Sequence, residues 1–122
     1  MPGLRGLAVL TVTDADTAVA LRSGEVPTLA TPRLVALLEE ATVSALDGCL
    51  GKGETSVGMR VHIDHLAPSA PGSLVDAEVV LEAVAGRRLT FGGTAQTRHV
   101  RHTRLVEHPN LFQRKGRPDN SL

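Results

Sequence analysis

Three residues of this 122-residue chain pair side chains capable of acid–base work with positions that the surrounding pattern marks as inward: Thr31, Glu39 and His65. A carboxylate drawn out of water rises in pKa, and a neighbouring imidazolium lowers it again. A Glu/His pair in a dry cleft can therefore be tuned to general-base or nucleophilic work near neutral pH. Thr31 adds a hydroxyl that can fix the carboxylate by a hydrogen bond or be activated itself. Each residue also has an ordinary structural reading: Thr31 as a helix N-cap, Glu39 as a satisfied buried carboxylate, and His65 as a core or interface histidine. Whether they form a set depends on the elements that carry them.

Thr31-Pro32 ahead of Leu34-Val35-Ala36-Leu37-Leu38-Glu39-Glu40-Ala41 predicts a helix start, with Thr31 as N-cap and Pro32 at the first helical position. The helix should run to about Asp47-Gly48. At about 100° per residue, Leu37, Ala41, Leu34, Ala45, Leu38, Val35 and Leu46 sweep one side, and Val43 with Ala36 extends the arc. Arg33, Glu40, Ser44 and Asp47 form the narrow polar sector. A helix of this kind is covered on most of its circumference. Glu39 falls inside the apolar arc and Glu40 outside it, so of the two adjacent carboxylates Glu39 is predicted to be buried.

After the helix the period changes to two. Val57, Met59, Val61 and Ile63 alternate with Gly58, Arg60, His62 and Asp64, as in a half-buried strand, and His65 continues the apolar parity. Prolines break the chain at Leu66–Gly72. Further strands are predicted over Ser73–Val84, Arg87–Thr97 and Val100–Glu107, with an earlier one over Leu7–Thr13. The order is β-α-β-β-β-β. Short connections imply an antiparallel sheet, and one helix covers five strands only if the sheet curls round it. The expected class is therefore α+β with a hotdog fold, a five-stranded antiparallel sheet round one long central helix.

Length allows a single domain, placed at residues 1–112, with a loose basic tail at 113–122. A 42% hydrophobic content against 21% charged residues excludes a disordered polyelectrolyte. The balance of 13 basic and 13 acidic residues, with two Phe and no Tyr or Trp, argues against nucleic-acid binding and against a membrane surface. That balance averages over a polarised chain, since Met1–Thr97 holds 7 basic and 11 acidic residues and Arg98–Leu122 holds 6 and 2. No apolar run approaches the ~20 residues needed to span a bilayer. Cys49 is the only cysteine, and the start of the chain is too mixed for a signal peptide, so a cytoplasmic location is expected.

Three blocks carry a family resemblance: Leu29-Ala30-Thr31-Pro32-Arg33-Leu34 through Glu39-Glu40-Ala41; Ser56-Val57-Gly58 with His65-Leu66-Ala67-Pro68-Ser69-Ala70-Pro71-Gly72; and Gly86-Arg87-Arg88-Leu89-Thr90-Phe91. Together they resemble the hotdog-fold thioesterases of the fluoroacetyl-CoA thioesterase type, over about Ser23–Val106. The resemblance implies a catalytic triad of Thr31, Glu39 and His65. In it Glu39 attacks the thioester carbonyl or directs water at it, His65 is the acid/base and Thr31 the orienting group. It also implies that the Gly58 N–H meets the developing oxyanion. A homodimer, possibly pairing further, with the site at the subunit interface is implied as well. The substrate would be a small acyl-CoA or acyl-carrier thioester. No cofactor is expected, coenzyme A being part of the substrate. One departure is plain: the phenylalanine lid of the specialised enzyme has no counterpart in Arg22-Ser23-Gly24-Glu25-Val26-Pro27-Thr28-Leu29, so selectivity for a fluorinated acyl group does not carry over.

Other chemistry is weaker. His99 and His102 fall on opposite faces of a strand, and no cysteine or paired carboxylate completes a ligand set with them or with His62, His65 and His108, so no metal is expected. Arg87, Arg88, Arg98, Arg101 and Arg104 suit either coenzyme A phosphates or a solvated strand face. The alternative function is a non-catalytic hotdog dimer that binds an acyl-CoA or another small apolar ligand. Such a module has no need of a buried carboxylate.

Overall fold

The computed structural model describes residues 2–51, residues 53–97 and the backbone of strand 112–115. Its elements are β1 (Arg5–Thr11), a 3-10 turn (Asp14–Asp16), α1 (Thr31–Ala45), β2 (Val57–Val61), β3 (Leu74–Ala85), β4 (Arg88–Thr97) and β5 (Phe112–Lys115). The strands lie in the order β1-β3-β4-β5-β2, each pair antiparallel. α1 packs on β1, β3 and β4, so the sheet curls about a single helix in a hotdog-like arrangement.

Among the described residues only β3 and β4 form a direct hairpin, through Gly86 in the left-handed region at φ 61°. β2 does not pair with β3 as consecutive hairpins would require; it lies at the far edge beside β5. The proline-broken stretch from His62 to Ser73 is too long for a tight turn and carries the chain across. The strand predicted over Val100–Glu107 lies outside the described residues. Phe112–Lys115, divided in the sequence reading between domain and tail, is a strand; the rest of that tail also lies outside the described residues.

The helix buries Leu34, Leu37, Leu38, Ala41 and Ala45 against the inward parity of β3 (Val75, Ala77, Val79, Leu81) and of β4 (Leu89, Phe91, Ala95). The predicted apolar arc is thus occupied, but its extension is not. Val43 is 55% exposed, and nothing else in the described chain covers that side. β2 departs further from expectation: all five of its residues are exposed on both faces, Val57, Met59 and Val61 included. Only Ile63, beyond the strand, packs against the core.

β1 and α1 approach each other at Gly6. A Cβ there would overlap the Ala41 carbonyl oxygen and stand 2.7 Å from the Ala45 amide nitrogen, so only glycine permits the contact. Thr42 is buried in the same helix, and its hydroxyl donates to the Glu39 carbonyl at 2.7 Å, which satisfies it without an outside partner. The segment leading into α1 is clipped at Asp16. Its carboxylate accepts from the Thr13 amide (2.8 Å), the Thr13 hydroxyl (2.9 Å) and Arg33 Nε (3.2 Å). Burial acts to raise the Asp16 pKa, but the two Thr13 hydrogen bonds and the Arg33 charge outweigh it and hold the carboxyl below its usual value.

Candidate active site

The helix begins one residue earlier than the cap assignment requires. Ala30 is the N-cap, with extended backbone (φ −72°, ψ 141°), Thr31 is the first helical residue and Pro32 the second. Thr31 therefore does not cap. Its hydroxyl turns to His65 instead, with Oγ1 2.8 Å from Nδ1. His65 sits in the proline-broken loop after β2 and is half-buried. Its other ring nitrogen, Nε2, is buried with no hydrogen-bond partner among the described residues. Burial lowers the His65 pKa from the ordinary 6.5, and a backbone hydrogen bond with Ala67 partly opposes it. The imidazole is thus neutral at neutral pH. If Nδ1–H donates to Thr31, Nε2 offers a lone pair as a base; if Thr31 donates to Nδ1, Nε2–H is an acid.

Glu39 is half-buried rather than buried, although it is more covered than Glu40, which is exposed. The wheel placed it inside the apolar arc, but the β2 strand that it meets at Gly58 is itself open to solvent. Its carboxylate lies against the Gly58 backbone: a Cβ at Gly58 would stand 2.7 Å from Glu39 Oε2. Glycine at 58 is what lets the carboxylate rest on the strand. The described chain thus joins the four residues as two pairs, Thr31 with His65 and Glu39 with Gly58. Eight residues separate Thr31 from Glu39, about 12 Å along the helix at ~1.5 Å per residue.

Ser69, which the sequence patterns did not single out, holds the His65 loop in place. Its carbonyl accepts from the Leu29 amide at 2.8 Å, and its hydroxyl meets Thr97 Oγ1 at 2.8 Å, both side chains being buried. One residue therefore ties the His65 loop to the run into Thr31 and to the end of β4. Thr97 was findable, because it continues the inward parity of Leu89, Phe91 and Ala95; Ser69, between two prolines, follows no period. Ser69→Ala leaves the Thr97 hydroxyl buried without its partner, which typically costs about 1–3 kcal/mol. We expect a lower melting temperature and faster amide exchange in residues 64–70, read by hydrogen-exchange mass spectrometry.

A cavity of about 360 Å³ opens beside the Thr31–His65 pair, between Val26, Ser23 and Thr28 on one side and Leu66 and Pro68 on the other. A second, of about 410 Å³, lies between Met59 of β2 and Arg87 and Arg88 of the β3–β4 hairpin. No group of three or more His, Cys, Asp or Glu residues among those described is placed to hold a metal ion. His99, His102 and His108, with Arg98, Arg101 and Arg104, lie outside the described residues. No helix among them is long and apolar enough to cross a membrane.

The FlK family model, described as fluoroacetyl-CoA-specific thioesterase, matches residues 12–105. A fluoroacetyl-CoA thioesterase of Streptantibioticus cattleyicolor is 34% identical over 93 residues, which cover 72% of this chain and 67% of that protein. A solved structure of the fluoroacetyl-CoA thioesterase FlK superposes with a TM-score of 0.83 at 26% identity, covering 94% of this chain and 86% of the other. A hot-dog-like protein from Thermanaerovibrio acidaminovorans gives 0.79 at 27% identity, covering 93% and 81%.

Proposed function

Because the chain belongs to the fluoroacetyl-CoA-specific thioesterase family, we propose that it hydrolyses a small acyl-CoA thioester with Thr31, Glu39, His65 and Gly58. The observation that carries this reading is the Thr31–His65 hydrogen bond, which leaves a buried, unpartnered Nε2 next to a cavity. Glu39 either attacks the carbonyl carbon, giving a mixed anhydride that a water then hydrolyses, or takes the proton of a water that attacks in its place, and the Gly58 N–H receives the oxyanion that develops. As the C–S bond breaks, His65 delivers a proton to the departing thiolate. Thr31 fixes the ring for that transfer. The acid and the free thiol are the products, with coenzyme A as part of the substrate and no retained cofactor. A solved FlK variant was crystallised with fluoroacetate and CoA, which supports the same substrate handle here. The free Cys49 fits a reducing cytoplasm.

The protein works as a homodimer with the site at its interface, in the five-stranded hotdog topology. On this reading the two pairs that act on one thioester come from different subunits. A second copy that lays its Glu39 and Gly58 beside the first copy's Thr31 and His65 completes the site. The open β2 edge, with Val57, Met59 and Val61 exposed, offers the surface for such pairing.

Release of free thiol from a panel of acyl-CoAs tests the hydrolase reading, and a non-catalytic binding module would release none. Thr31→Ala and Glu39→Gln should each be nearly inactive alone. Co-expressed, they should recover about a quarter of wild-type activity, because half of randomly paired twofold dimers then hold one intact site. Mixtures that stay inactive would show that each chain carries its own complete set.

A further inference from the structure

Resting on the thioesterase reading, we propose that the acyl group accepted here is an uncharged aliphatic chain of about four to six carbons, held between Val26 and Leu66 in the cavity beside Thr31 and His65. At about 360 Å³ that cavity is at the lower end of small-ligand sites. It is far larger than a two-carbon acyl group needs, since one water-sized group occupies only about 30 Å³.

The walls decide the chemistry. Ala18, Val26, Leu29, Leu66, Ala67 and Pro68 supply aliphatic surface, and among the described residues the only polar side chains lining it besides the Thr31–His65 pair are the hydroxyls of Ser23 and Thr28. Neither Arg22 nor Glu25, which flank the wall in sequence, lines the cavity. Among the described lining residues no cation stands ready to replace the hydration that a carboxylated acyl group would lose there. Val26 and Leu66, which both line the cavity, are 56% and 52% exposed, so an aliphatic chain against them removes apolar surface from water.

The space is kept open by the backbone. The segment from Ala18 to Thr28 is closed at its base by the Thr17–Leu29 bridge and by Ala18 N–H donating to the Thr28 carbonyl at 2.8 Å. Ser23 N–H donates to the Ala18 carbonyl at 2.9 Å across a turn in which Arg22 takes the left-handed conformation, φ 58°. These bonds tie the two ends of the wall together. Of the chain's two phenylalanines, Phe91 is wholly buried in the core and does not line the cavity.

The test is kcat/KM for the wild-type protein with fluoroacetyl-, acetyl-, butyryl-, hexanoyl- and succinyl-CoA. Each methylene buried is worth roughly a fourfold gain, so butyryl-CoA should exceed acetyl-CoA by about tenfold and succinyl-CoA should fall about 100-fold below butyryl-CoA. Val26→Phe, at an exposed position that does not threaten folding, should reduce the butyryl-to-acetyl ratio about tenfold by filling the cavity. Acetyl- or fluoroacetyl-CoA as the best substrate, succinyl-CoA turnover equal to butyryl-CoA, or a ratio unmoved by Val26→Phe would each overturn the inference while leaving the thioesterase reading intact. Failure to release thiol from any of the five overturns the thioesterase reading and this inference with it.

Discussion

His65→Ala should lower kcat for thioester hydrolysis by about 10²–10⁴-fold, the range of a positioned general acid or base, with the protein still folded. The side chain is only half-buried and makes one side-chain hydrogen bond, to Thr31, so its removal takes little from the core. The pH dependence gives a second readout. Because burial depresses the imidazole pKa, the acid limb of the wild-type kcat/KM profile should fall below the ordinary histidine value of 6.5. Stability follows the same group. Below pH 6.5 the unfolded chain takes up the proton more readily than the folded one, so unfolding free energy drops as pH falls and levels off beneath the folded pKa. His65→Ala should remove that drop. Stopped-flow thiol detection across pH, with thermal melts in the same buffers, measures both. A variant that keeps wild-type kcat would exclude His65 from the chemistry.

Gly6→Val should unfold the protein at markedly lower temperature. A side chain there meets the Ala41 carbonyl and the Ala45 amide, groups fixed in the helix ladder that cannot rotate away. Either β1 lifts from α1 or the helix shifts on β3, and both open the core. A cost of about 3 kcal/mol or more is expected for such overpacking against backbone, a large share of the ~5–15 kcal/mol that holds a domain together. That corresponds to a fall of about 10 °C or more in melting temperature. Leu7→Ala is the control: Leu7 neighbours Gly6 on the same strand but is 64% exposed, so its truncation should change the melt little. Equal melting temperatures for the Gly6 and Leu7 variants would refute the close approach.

What the sequence made legible was the set of features that repeat. The 3.6-residue period placed Leu34, Leu37, Leu38 and Ala41 in the core, and the alternation in β3 placed Val75 to Leu81 there. The same helical wheel ranked Glu39 as more covered than Glu40. Features set by a single approach in space left no such trace. Nothing periodic marks Gly6 as the point where β1 touches α1, or Ser69 as the anchor of the His65 loop. Thr31 shows how one local rule misleads. Thr before Pro reads as a cap, yet the extended Ala30 already starts the helix, and the freed hydroxyl reaches across to His65. β2 failed for the opposite reason. Its alternation is real, but both of its faces stay open, so the pattern could not tell which one a neighbour covers.

The register of β1 has a consequence for how the chain folds. Arg5 lies opposite Val80 and Thr11 opposite Leu74, so the first strand made finds its only sheet neighbour among the described residues in a segment made much later. At synthesis rates of about 5–20 residues per second, β1 and α1 wait several seconds before β3 emerges to receive them. During that interval Ala8, Leu10 and the apolar arc of α1 lack the β3 and β4 surface they later pack against. Folding should therefore be slow for a chain of this length, limited by long-range strand pairing rather than by the helix. Holdase chaperones that grip short apolar stretches would find their targets at the start of the chain.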